Sequence, residues 1–243
     1  MECIYKYFDI QTIFPYEPFF KELGVEANEV GPYFYQNGCK TFREFTDRLI
    51  NITHKQYPTF TYAYWDNPDK TMHSEGTNSN GVKKVLRDIN KQLTKLNSKM
   101  RDTCLIITAD HGHIDSEPIY IRQYKELYGL LKRMPSNEAR CTFFKIVDGK
   151  ENEFKERFNN LFSDKFILMT GKEFIDNEFL GLNKYSKKHD RIEEIIGDFV
   201  AIGIDKYYFD TLHEEKPYIV LKSHHAGLTK EELTVPLVIY NKK

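Results

Sequence analysis

"NSNGVKKVLRDINKQLTKLNSKMRDTCLIITADHG", residues 78–112, changes its hydrophobic period once, and that change decides the fold class. As far as Met100 the apolar side chains fall at Val82, Val85, Ile89, Leu93 and Leu96. Spacings of three and four gather them into one stripe on a long helix, with the basic residues left as a solvated face. From Thr103 the run becomes continuously apolar, as in a strand buried on both sides within a parallel sheet. "YPTFTYAYW", residues 57–65, precedes the helix and reads as another buried strand, rich in aromatics and threonine. Strand, helix, strand in that order is a βαβ unit with a right-handed crossover.

The same rhythm extends outward. Upstream, "TFREFTDRLINITHK" (41–55) has helical apolar spacing, with Thr41 and Glu44 placed as a capping box. Before it, a short helix ends at Gly24 and a strand is expected around Val25 to Val30. Downstream of Arg140, "RCTFFKIVD", "NEFKERFNNLF", "KFILMTGKEFID", "GDFVAIGID" and "YIVLKSHH" alternate strand and helix again. No low-complexity linker or repeat interrupts them, so residues 1–243 read as a single α/β domain, one sheet with helices on both faces.

Bulk properties narrow the class further. A chain of 243 residues can bury a substantial core. Its 35 Lys+Arg against 36 Asp+Glu give no global reason to expect a nucleic-acid polymer or a membrane as partner, so an anionic substrate needs a local site. Cys3, Cys39, Cys104 and Cys141 lack a CxxC spacing, which fits free thiols in a reducing compartment. No stretch reaches the roughly 18 to 20 apolar residues of a membrane span. The expectation is a soluble, cytoplasmic protein.

Three segments carry metal-binding residue types just after expected strands, where loops of open α/β sheets converge on one crevice. "YWDNPDKTMHSEG" holds Asp69 and His73 four apart; "TADHGH" holds Asp110, His111 and His113; "SHHAGLT" holds His224 and His225. Carboxylate and imidazole together suit zinc, and also manganese or iron. His113 and His224 can orient ligands or touch phosphate, or lie in solvated loops. Tyr62, Tyr64 and Trp65 can stack a base, though strand aromatics are commonly core. His54, His189 and His213 sit in polar stretches and need no role.

"PDKTMHSEG", "TADHG" and "HAGLTKEELTVPLVI" resemble, in order and spacing, the P-D-x-x-G-H-x-x-G, T-A-D-H-G and H-G-G-L-[ST]-x-E-E-x-x-V-P-L motifs of the alkaline phosphatase superfamily, type I phosphodiesterase/nucleotide pyrophosphatase family. "EARCTFFKIV" and "IGDFVAIGI" resemble intervening stretches, so the likeness runs over roughly residues 20 to 240. It implies a three-layer α/β/α fold with a mostly parallel central sheet, incomplete at the N-terminus. It implies two divalent metal ions, zinc or else manganese. Asp69, His73 and His225 would hold one, Asp110 and His111 the second. In that family the metals clamp a phosphate ester of a nucleotide or other small substrate while a hydroxyl attacks in line, and the covalent phospho-enzyme is then hydrolysed.

Met72 and Ala226 replace motif glycines. The family's first metal aspartate and its Thr or Ser nucleophile belong to segments upstream of the part this chain resembles, so no nucleophile is assigned and catalysis by this chain alone is in question. Asp9 and Thr12 stand three residues apart, too close to serve separate strand ends. Two alternatives remain open: a phosphomonoesterase or phosphomutase of the same superfamily, and a non-catalytic module that binds metal for stability or for a partner.

Overall fold

The computed structural model describes residues 22–181, 188–211 and 220–242. Asp9, Thr12, Cys3 and His213 lie outside the described residues, as does the helix expected before Gly24 except for its last residues, Glu22 and Leu23, which form a 3-10 turn. The chain divides into two compact units, one formed by Met1–Asp66, Asp88–Leu105 and Tyr240–Lys243, the other by Asn67–Arg87 and Ile106–Ile239.

In the first unit, strands β1 (Glu26–Val30) and β2 (Thr59–Ala63) pair in parallel, Glu26 opposite Thr59. Helix α1 (Phe42–Ile52) connects them. It starts where the capping pattern predicts: the Glu44 N–H donates to Thr41 Oγ1 (3.1 Å), while the Glu44 carboxylate accepts from the Lys40 N–H (2.9 Å) rather than from Thr41 itself. Phe45, Leu49 and Ile50 on its inner face join Val30, Leu96 and Met100 in one buried cluster. Trp65 packs on Phe42 and Phe45 with ring centroids 5.4 and 5.3 Å away, so its role is core packing.

The second unit opens with the short helix α2 (Asp69–Glu75) and the beginning of α3 (Asn80–Lys99), the long amphipathic helix of residues 78–100. Strand β3 (Thr103–Thr108), which counts with the first unit as far as Leu105, alternates half-buried and exposed residues, so only one face is covered. This departs from the expectation of burial on both faces; a strand with one covered face follows the two-residue alternation of the pleat. Beyond it come β4 (Ile114–Asp115), β5 (Glu117–Tyr120), helix α4 (Lys125–Tyr128), β6 (Ser136–Glu138), β7 (Cys141–Phe144), helix α5 (Glu151–Phe162), β8 (Phe166–Thr170), helices α6 (Gly171–Asp176) and α7 (Ile192–Ile196), β9 (Phe199–Gly203), β10 (Tyr207–Asp210), β11 (Ser223–His224), helix α8 (Lys230–Leu233) and β12 (Leu237–Lys242).

Strand β5 pairs in parallel with β10, and β4 pairs antiparallel with β11. Four strands form a sheet in the order β6-β7-β9-β8 in which every neighbouring pair is antiparallel. The strand–helix–strand alternation after Arg140 predicts a parallel ladder there. The direction holds, because β7 and β8 run the same way across α5, but β9 inserts between them and opposes both, a split βαβ arrangement. The described ladders are thus several short pairs and one four-stranded sheet.

Phe154, Phe158 and Phe162, four apart on α5, are buried with Phe144, Phe166, Phe199 and Phe209. Phe166 and Phe209 stack at 4.3 Å. The opposite face of the sheet packs Phe143, Val200 and Ile202 on Phe174 and Ile196. Among the described residues, no helix is long and apolar enough to cross a membrane.

Candidate metal centre

All the ligand-type side chains singled out in the sequence belong to the second unit. Helix α2 places Asp69 and His73 one turn apart, on the same face. Met72 stands inside that helix, where the side chain is better tolerated than the motif glycine would be. The C-terminal end of α2 is fixed by Asp115, which accepts from the Thr77 N–H (2.6 Å), and by the His73 carbonyl, which accepts from the Lys222 N–H (2.7 Å). Strand β11 therefore passes beside α2 and carries Ser223 with it.

Gly112 lies where no side chain fits: an added Cβ would stand 1.9 Å from the Glu231 carbonyl oxygen. Its N–H donates to the Glu232 carbonyl (2.7 Å), which ties the segment to α8. His111 and His113, on either side, turn away from α8 into a common cluster of rings. His111 stacks on His225 at 3.7 Å, and His113 lies 5.1 Å from His225 and 4.7 Å from His73.

Asp69 is the centre of this cluster. Its Oδ1 lies 2.6 Å from His113 Nε2, 3.3 Å from His73 Nε2 and 4.0 Å from His225 Nε2. One ligand atom from each of Asp69, His73, His113 and His225 falls within 4.8 Å of all the others, a grouping that can hold a metal ion. Three of these four are the ligands implied by the resemblance; His113 joins them.

Asp69 and His225 are held in the protonation states that a cation needs. Burial works against the Asp69 charge, but hydrogen bonds from His113 and His73 outweigh it and hold the carboxyl well below its usual range. Asp69 in turn raises His73, against the effect of burial. Burial, reinforced by repulsion from His111, His113 and His73, brings His225 down to about 4, so its ring is neutral with a lone pair available at neutral pH. His73 Nδ1 lies 2.7 Å from the Ser223 carbonyl, which only a protonated Nδ1 can satisfy, and this leaves Nε2 facing Asp69.

The other sequence candidates take different places. Asp110 is largely exposed; its Oδ1 accepts from the His111 N–H (3.1 Å) and lies 3.6 Å from His111 Nε2, making a separate pair beside the cluster. His224 turns inward: Nδ1 sits 2.6 Å from Ser116 Oγ, the ring stacks on Tyr208 at 3.8 Å, and burial brings it down to about 4.

Two supports were not evident in the sequence. One is Ser223. The other is the buried pair of Arg140 and Glu232, with Nε and Nη2 donating to Oε1 (2.6 Å) and Oε2 (2.8 Å). Arg140 also donates to the Asp205 and Tyr207 carbonyls, and Glu232 accepts from the Gly227 N–H (2.8 Å). Glu232 is also N3 of the α8 capping box with Thr229.

Helix α2 and the loops around it thus gather histidines about a carboxylate, as a metal-binding α/β protein does. The family model described as type I phosphodiesterase/nucleotide pyrophosphatase matches residues 14–227, and the chain belongs to that family. No curated protein matches it in sequence. Among solved structures, human ectonucleotide pyrophosphatase/phosphodiesterase 5 is similar with a TM-score of 0.65 at 16% identity, over 90% of this chain and 61% of that one. The murine protein in an inactive form with AMP gives 0.63 over the same shares, also at 16% identity. Phosphonoacetate hydrolase from Sinorhizobium meliloti 1021 with phosphonoacetate gives 0.64 at 13% identity, over 92% of this chain and 67% of that one. At these identities the likeness is one of fold, and the chain spans about three-fifths of the length of the ectonucleotide enzymes.

Proposed function

We propose that this chain bears the metal centre of a hydrolase for phosphodiester or pyrophosphate bonds in small nucleotide-like substrates. Asp69, His73 and His225 hold one divalent ion, and the pair Asp110 and His111 contributes to a second. The observation that carries this reading is the convergence of Asp69, His73 and His225 from two distant segments onto one set of ligand atoms. Family membership and the AMP bound to the murine neighbour support the substrate class. Zinc fits the nitrogen-rich ligand set best, with manganese as the second choice.

Two such ions, when bound, supply Lewis acidity to a phosphoryl oxygen and to the leaving oxygen. The side chains do the rest. Asp69 brings the negative charge that offsets the cation, His73 is held in one tautomer by the Ser223 carbonyl, and His225 offers a neutral ring kept in place by its stack on His111. No hydroxyl is assigned as nucleophile. The unpaired thiols Cys39, Cys104 and Cys141 support a reducing, cytoplasmic location.

The test pairs metal analysis with turnover. Purified protein should carry zinc or manganese; with either supplied, turnover should be poor, since no nucleophile is assigned, and what there is should favour bis-p-nitrophenyl phosphate over p-nitrophenyl phosphate. A preference for the monoester would transfer the chain to the phosphomonoesterase reading. Binding without turnover of either ester would favour the non-catalytic module.

A further inference from the structure

We infer that His113 is a fourth protein ligand of the ion at Asp69, so that the site closes around its cation with one carboxylate and three imidazoles. The inference rests on the metal reading above and concerns a residue to which that reading gives no part. His113 is the residue after "TADHG", and its side chain is only 4% exposed. Its Nε2 lies 2.6 Å from the same carboxylate oxygen that faces His73 and His225.

Tetrahedral zinc with bonds of roughly 2.0 to 2.1 Å has ligand–ligand edges of about 3.3 Å. The three edges from Asp69 Oδ1, at 2.6, 3.3 and 4.0 Å, bracket that value, and the four ligand atoms stay within 4.8 Å of one another. Small ring movements would equalise them.

Ser223 serves both histidines of this side of the site. Its carbonyl faces His73 Nδ1, and its hydroxyl lies 3.0 Å from His113 Nδ1. A hydroxyl both donates and accepts. Without a cation, His113 Nε2–H donates to Asp69 and the hydroxyl donates to Nδ1. With a cation, the proton sits on Nδ1, the hydroxyl rotates to accept it, and the Nε2 lone pair is free to bind. A site with four protein ligands leaves no open tetrahedral position at rest, so a phosphate oxygen reaches this ion by displacing one of them or by expanding its coordination to five during the reaction.

Cobalt(II) titration of the whole chain, followed by its visible absorption, tests this. In the wild-type protein, millimolar azide or inorganic phosphate should leave the bound-cobalt spectrum unchanged; in His113→Ala the same anions should shift it. His113→Ala should weaken cobalt binding by more than the roughly 10- to 100-fold expected of Ser223→Ala, which removes only the outer hydrogen bond. Ser223→Ala also covers the case in which His113→Ala fails to fold. Anion-sensitive wild-type cobalt, with affinity unchanged in both variants but lost in His73→Ala, would overturn the inference and leave the three-ligand site intact. If His73→Ala also retained full affinity, the metal reading itself would fall.

Discussion

Two positions flanking the candidate site show how a single Cβ matters in opposite directions. Ala226 replaces a motif glycine and sits at φ +75°, a left-handed conformation that costs an L-residue about 1 to 2 kcal/mol. Ala226→Gly is therefore expected to raise unfolding stability by about 1 kcal/mol in a urea titration, since the relieved strain exceeds the added freedom of the unfolded chain. Gly112 is the converse. Gly112→Ala drives a methyl group into the Glu231 carbonyl, and the backbone itself must move. A loss of about 1 to 3 kcal/mol is expected in the same titration, with weaker zinc binding because His113 moves with the loop.

Among elements, α8 determines how the second and third motifs meet. Glu232 caps the helix, its carbonyl holds Gly112, and its carboxylate holds Gly227 and Arg140. Glu232→Ala would strand a buried guanidinium, and a loss of about 3 to 5 kcal/mol is expected in denaturant unfolding. Burial opposes the Glu232 charge, but donation from Arg140 and Thr229 prevails and lowers its pKa below the ordinary 4.5. A carboxyl lowered on folding stabilises fully above its unfolded value, and that contribution fades as pH falls through the folded one. Wild-type stability should thus drop below pH about 4.5 with a component that Glu232→Gln lacks; parallel slopes for the two proteins would contradict it.

What was legible in the sequence follows the range of each interaction. The helices at 42–52 and 80–99 were evident because their apolar period and, for the first, its Thr41 cap are local. Motif spacing singled out Asp69, His73 and His225, which the fold brings into one cluster. The insertion of β9 between β7 and β8 was not, since ladder order leaves no local pattern. Nor was the Arg140–Glu232 pair, whose partners lie 92 residues apart, or the part played by Ser223, a serine in a strand that nothing marks until two histidines are seen to share it.

On the scale of the whole molecule, the candidate centre lies entirely within the unit formed by Asn67–Arg87 and Ile106–Ile239, so a cation held there would link three segments of that one unit. Ligand binding to the folded state alone stabilises by mass action, about 2.7 kcal/mol at a hundredfold excess over Kd. The most direct test is elemental analysis of the purified chain beside Asp69→Ala, His73→Ala and His225→Ala, each verified as folded by circular dichroism. The account predicts at least one equivalent of zinc or manganese in the unaltered protein and its loss in all three variants. A folded, metal-free parent after zinc is supplied, or variants that keep the full complement, would contradict it.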